Sequence, residues 1–288
     1  MSKYKIKDLE TLTGIKAHTI RIWEKRYNII EPKRTDTKIR TYSDEELKLL
    51  LNVAILNENG IKISKIADLS SQQIREQVDK VSFSSQSNSI VVNLLIKALT
   101  TIDQALFNRV IDGCINKEGL KRTYINYIIP FLDRIGVMWL VGSINPAQEH
   151  FISNLIRQKL IVSIDKLPDS SRSNVDYILF CKDDEWHELG LLFYHYCLKE
   201  QGFNVCYFGQ NVPFDSLLAS KKQVSPSLGY VTSMISPIQK EELDAYLKRF
   251  EKNISAPLYI GGAQFSAINL KAYSSIKSVE SIIDFGDD

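Results

Sequence analysis

The chain has 288 residues, 44% of them hydrophobic and 24% charged, enough for two or three domains with real cores and too apolar for a disordered tail. Its 36 Lys and Arg against 34 Asp and Glu leave a net charge of only +2, which argues against a protein that coats nucleic acid through bulk charge. The charge is unevenly spread: residues 1–43 hold eleven basic and five acidic groups, a net +6, so the remaining 245 residues carry −4.

Cys114, Cys181, Cys197 and Cys206 are scattered with no C-x-x-C pair, the usage of a reduced, cytoplasmic chain. The opening MSKYKIKD lacks the apolar core of a signal peptide. The most apolar run, Ile90 to Ile102, is interrupted by Asn93 and Lys97 and falls short of the ~20 residues of a membrane span. Two Ser-rich stretches, 82–89 and 168–174, read as linkers and divide the chain into units of 1–80, 88–167 and 174–288.

In the first unit, Ile6, Leu9 and Leu12 share one helical face, Thr13-Gly14 supplies a tight turn, and a second helix runs from about Lys16 to Arg26. On that second helix Ile15, Ile22 and Trp23 are expected to pack inward. His18, Thr19, Arg21 and Arg26 are left outward as donors for phosphates and base edges. From Tyr27 to Tyr42 the pattern is irregular and basic, as in a wing of two short strands. Ser43 with Glu46 three positions on then forms a capping box for a helix carrying Leu47, Leu50, Leu51, Ala54 and Ile55, ended by Gly60.

The second unit shows helical spacing over Ile90–Leu99, Ile102–Ile111, Leu120–Trp139 and Ala147–Ile164, which predicts a four-helix bundle. In the third, strands are expected at Val175–Cys181, Phe203–Phe208, Ser227–Ser233 and Pro257–Ile260, with helices at Leu189–Leu198, at Glu241–Phe250 and after Gly262. That alternation implies a doubly wound parallel sheet, with ligands at the carboxyl ends of its strands.

The segment from Tyr4 to Ile66, above all Thr19 to Tyr27, then Arg34 and Arg40-Thr41-Tyr42-Ser43, resembles the winged helix-turn-helix of MerR-family transcription regulators. The resemblance implies binding to double-stranded operator DNA as a dimer, through Lys16, His18, Thr19, Arg21, Arg26, Tyr27 and Arg34, with Arg40 and Tyr42 touching the backbone. A solvated, non-reading cationic face is the alternative.

Further on, Glu185-Trp186-His187-Glu188-Leu189-Gly190 lies where the first strand meets its helix. Glu185 is close enough in sequence to orient the His187 imidazole and keep its other nitrogen for a metal, while Gly190 would admit a bulky ligand. This E-x-H-x-x-G resembles the cobalamin-binding signature of methionine-synthase-type and mutase-type domains, in which the His is the lower axial ligand of cobalt. Thr232-Ser233 and then Gly261-Gly262 stand where that pattern has its Ser-x-Leu and Gly-Gly, with Met or Ile replacing Leu.

Trp139, nine residues and then Glu149-His150 resemble the helical cap of CarH- and LitR-type regulators, cobalamin-dependent photoreceptors with a MerR head. There these residues cover the upper face of the corrin; an ordinary bundle core explains Trp139 as the alternative. Light-sensing members often have a second His directly after the Trp, and here it is Leu140. The resemblance therefore carries cobalamin binding further than light sensing. The implied function is a repressor that senses adenosylcobalamin, oligomerises as a dimer or tetramer, has no membrane partner and catalyses nothing. A cofactor-free interaction module and a corrinoid enzyme subunit are the competing readings. His195 reads as structural.

Overall fold

The computed structural model describes residues 4–34, 40–79, 88–140 and 144–283, in two compact units, 1–155 and 156–288. The first Ser-rich stretch lies outside the described residues as far as position 87.

The first unit opens with α1 (Ile6–Thr13), which buries Leu9 and Leu12 completely. Gly14 takes a left-handed φ of 77° and donates its N–H to the Glu10 carbonyl, a turn only glycine makes without strain. In α2 (Ala17–Tyr27) the inward residues are Ile20 and Trp23, three apart on one face. Ile22, expected inside, is 45% exposed, because it lies two residues from Ile20 and so on the opposite side of the helix. Lys33–Arg34 (β1) and Arg40–Thr41 (β2) form a short antiparallel ladder, and Tyr4 bridges Tyr42 beside it.

The capping box is present as expected: Glu46 N–H donates to Ser43 Oγ at 3.3 Å and Ser43 N–H to Glu46 Oε2 at 2.7 Å, opening α3 (Asp44–Glu58). Residues Leu50 to Leu56 of α3 are all buried, since it packs against α1, the short helices α4 (Ile63–Ala67) and α5 (Ser71–Asp79), and α6 (Asn88–Thr101). The sequence pattern missed α4 and α5, whose apolar residues are too few for a visible period. Next, α7 (Gln104–Thr123) is two helical stretches joined across a kink at Gly119, φ 82°, so the break expected before Leu120 is present, at the end of the polar stretch. A π-turn at Tyr124–Ile128 leads into α8 (Ile129–Leu140), and α9 (Pro146–Asp165) begins in this unit and ends in the second.

The second unit is a parallel sheet of β3 (Tyr177–Lys182), β4 (Val205–Val212), β5 (Gly229–Ser233), β6 (Leu258–Gly261) and β7 (Ile276–Ser278), in the order β4-β3-β5-β6-β7. The central strands read as unbroken apolar runs because both faces are covered. One cover is α10 (Leu189–Glu200), against β3, β4 and β5. The core against Ile178, Phe180, Tyr230, Leu258 and Ile260 is filled by Phe214 and Leu217 of α11 (Phe214–Ser220) and by Leu243, Leu247 and Phe250 of α12 (Lys240–Asn253). After Gly262, where a helix was expected, hydrogen bonds close after three residues, as from Phe265 N–H to Gly262 O, and tighten the chain into 3-10 turns before β7. Strand order reverses beside β3, the position at which such sheets open a crevice at their carboxyl ends. Among the described residues no helix is long and apolar enough to cross a membrane.

Candidate functional site

The helix-turn-helix presents its cations on the side of α2 opposite Ile20 and Trp23. His18, Arg21, Lys25 and Arg26 are exposed, with His18 Nε2 3.3 Å from Thr19 Oγ1 and the Arg26 guanidinium over the Tyr27 ring. Lys16 lies 3.5 Å from Glu10. Arg40 donates through Nε to both carboxylate oxygens of Glu24 on α2, at 3.1 and 3.2 Å, which fixes β2 against α2. Tyr42, expected against the DNA backbone, is 1% exposed and packs in the core of the head. Burial and the nearby Glu24 push its phenol up to about 12. The Arg34 side chain lies outside the described residues.

The second cluster gathers where β3 and β5 end, on either side of the order reversal. Glu185, almost fully buried, accepts from His187 Nδ1 at 2.8 Å and from the His187 amide at 2.9 Å. It also accepts from the amides of Ile235 and Ser236 at 2.8 and 2.7 Å and from Ser236 Oγ at 2.9 Å. Burial alone would raise its pKa; the hydrogen bonds from His187, Ser236 and Ile235 outweigh that and hold it at about 2. A permanent carboxylate on Nδ1 fixes the tautomer and turns Nε2 toward the role of metal ligand. The imidazole itself is 60% exposed. Among the described residues no group of three or more His, Cys, Asp or Glu is arranged for a metal, so a metal at His187 must bring its other ligands with it, as a macrocycle does. That donor set, one imidazole backed by a buried carboxylate at a crevice, fits a corrin-bound cobalt.

Sequence reasoning did not single out Ser236, whose hydroxyl also lies 3.1 Å from His187 Nδ1. It follows the Thr232-Ser233 run by three residues, and a hydroxyl just past a strand end was the available signal.

The glycines of this pattern lie close against neighbouring elements of their own unit. A Cβ on Gly190 would come within 2.9 Å of Ser233 Oγ, one on Gly261 would overlap the Tyr194 hydroxyl, and Gly262 (φ 93°) lies against the Met234 backbone. The close approach at Gly190 is thus to a strand of its own unit: α10 sits tightly on β5 and β6. Thr232 and Ser233 are fully buried, and neither hydroxyl has a well-aligned partner among the described residues.

Beside His187, an open cavity of about 700 Å³ is lined by Arg157, Ile161, Trp186, Glu188, His195 and Tyr207 among others. Glu188 accepts from Arg157 and, at 2.8 Å, from the Tyr207 hydroxyl. His195, in the cavity lining, stacks on Tyr207 at 5.3 Å; burial, with Lys199 nearby, lowers its pKa to about 4, so it is neutral.

In the first unit Trp139 is 43% exposed near the end of α8, which excludes the core alternative for its ring. Glu149 and His150 start α9, with His150 Nδ1 3.1 Å from Glu149.

Residues 4–73 match the MerR HTH family regulatory protein model and residues 91–162 the B12 binding domain model. The chain is 26% identical over 268 residues to the HTH-type transcriptional repressor CarH of Myxococcus xanthus, covering 90% of this chain and 89% of that one. To the repressor CarA of the same organism it is 28% identical, covering 90% and 86%. Among solved structures, the monomethylamine corrinoid protein of Methanosarcina barkeri aligns at a TM-score of 0.54 and 13% identity, covering 68% of this chain and 96% of that chain, a likeness of fold. The chain thus joins a segment similar to MerR HTH regulatory proteins to one similar to B12 binding domains, and along 90% of its length it is similar to two transcriptional repressors.

Proposed function

We propose that the protein is a cytoplasmic DNA-binding transcriptional repressor whose operator affinity is set by adenosylcobalamin. Residues 1–80 act as the winged reading head, 88–167 as a four-helix-bundle cap and 174–288 as the Rossmann-like holder of the cofactor. His18, Thr19, Arg21 and Arg26 face the groove, and Lys16, Tyr27 and Arg40 the phosphates. His187 is the protein ligand to cobalt, oriented by Glu185 and Ser236. Trp139 offers a flat apolar face and Glu149-His150 hydrogen-bond partners to the upper ligand. When bound, the corrin supplies cobalt with a photolabile carbon ligand. Assembly into a dimer or tetramer multiplies head–operator contacts and so links occupancy to repression.

The observation that carries the proposal is the Glu185–His187 pair, a buried carboxylate held ionised behind an exposed imidazole at the switch point of the sheet. A corrinoid enzyme subunit has no comparable support, because the relatives that match along 90% of the chain are named repressors. The test is the absorption spectrum of the full chain purified with adenosylcobalamin in the dark. A bound corrin that His187→Ala releases, without loss of circular dichroism, supports the proposal. A colourless wild-type protein refutes it.

A further inference from the structure

Asn93 interrupts the most apolar run of the chain and is nevertheless completely buried in α6. A buried amide must find partners, and those of Asn93 come from outside its own helix. Its Nδ2 donates to the Thr13 carbonyl at 3.3 Å, and its Oδ1 accepts from Nη1 of Arg134 on α8. The same Nη1 donates to the Leu12 carbonyl at 2.9 Å, and Nη2 lies 3.6 Å from where a Cβ on Gly14 would stand.

Leu12, Thr13 and Gly14 are the end of α1 and the turn that aims α2. Carbonyls at a helix C-terminus have no partner within the helix and carry its negative dipole end. Here the local chain satisfies that of Glu10, which the Gly14 N–H reaches, while Thr13 Oγ1 turns back onto Leu9 O at 2.7 Å. Those of Leu12 and Thr13 are satisfied from a distance of 80 residues or more, by a guanidinium and an amide that belong to the helical segment behind the head.

We propose that Arg134 and Asn93 are positioning residues for DNA reading: they form a polar clamp by which α6 and α8 hold the turn of the helix-turn-helix, and so fix the angle at which α2 meets the groove. Specific recognition needs base-edge donors placed to a fraction of an ångström, whereas phosphate attraction tolerates reorientation. Loss of the clamp therefore removes selectivity before it removes affinity for DNA in general. The inference rests on the head being a DNA reader, but its structural half does not.

The experiment uses the full-length chain with Arg134→Met, which keeps the bulk of the side chain and removes its donors, and Arg134→Lys, whose ammonium stands one bond short of Nη1 and cannot keep both contacts at their present lengths. Binding is measured to a duplex selected from a random pool by the wild-type chain and, separately, to poly(dI-dC). Amide hydrogen exchange is followed at residues 12–20. Arg134→Met is expected to lose about 10- to 100-fold affinity for the selected duplex, the size of an ordinary coupling between sites. Affinity for poly(dI-dC) stays within about twofold, because every cation of the head is intact. Arg134→Lys falls between. Exchange at 12–20 accelerates while that of β3 and β5 does not change.

A general loss of stability would weaken both duplexes together and overturns the proposal, as does unchanged exchange at 12–20 in a folded Arg134→Met protein. Should Arg134→Met fail to fold, Arg134→Lys decides: wild-type selectivity and exchange overturn the clamp. Should the wild-type chain select no duplex, the DNA-binding proposal fails, and the exchange measurement still decides the clamp.

Discussion

Glu185→Gln tests the site most sharply, because five hydrogen bonds converge on that one carboxylate. A glutamine keeps the shape, removes the charge and points an NH2 at groups that are themselves donors. The carboxyl is held at about 2 against an ordinary 4.5, and a shift of that size corresponds to roughly 3 kcal/mol at neutral pH. Its folded value is depressed, so the contribution is complete above pH 4.5 and is lost as pH falls through 2. Urea unfolding of both proteins at pH 7 should show Glu185→Gln less stable by roughly 3 kcal/mol in the transition of the sheet unit. At pH 3 the difference should narrow by about 2 kcal/mol, since the wild type has by then surrendered most of its advantage. A gap under about 1 kcal/mol at pH 7, or the same pH response in both proteins, would refute the reasoning, since the charge would then contribute nothing measurable.

Ser43→Ala removes the N-cap of α3 and should cost about 1 kcal/mol, seen as a lower thermal midpoint with unchanged helix content at low temperature. Gly261→Ala drives a methyl into the Tyr194 hydroxyl and should destabilise by about 1–3 kcal/mol; Tyr194→Phe in the same chain should recover part of it, and no recovery would place the strain elsewhere. His195 is depressed to about 4, so the unfolded chain binds its proton first and stability declines as pH falls from about 6.5 toward 4. His195→Phe should flatten that slope in urea titrations, and an unaltered slope would mean the ring is solvated.

What the sequence made legible follows from local rules. The capping box, the Thr13-Gly14 turn and the apolar runs of β3, β5 and β6 are each specified by neighbouring residues, and all appear where expected. Misreadings arose where tertiary contacts decide. Ile15 and Ile22, seven residues apart, suggest an inward stripe, whereas the helical phase set by Ile20 and Trp23 puts Ile22 outside. The short helices α4, α5 and α11 and the edge strand β7 bury too few side chains to show a period. The same holds for the sites. Glu185 and His187 are two residues apart, so their pairing could be read from spacing, but Ser236 and the Asn93–Arg134 clamp join positions 41 to 122 residues apart. The glycines of the cobalamin-like pattern were visible as letters, yet their contacts with Ser233, Tyr194 and Met234 depend on how α10 lies on the sheet.

The central claim is that cofactor and DNA are linked through one chain, and linkage has to appear as a change in affinity. The measurement is operator binding by the full-length protein in the dark, with and without saturating adenosylcobalamin, using a duplex it selects from a random pool. The account predicts at least a ~5-fold change in apparent affinity, abolished by His187→Ala. Equal affinities with and without a spectroscopically bound corrin would contradict it.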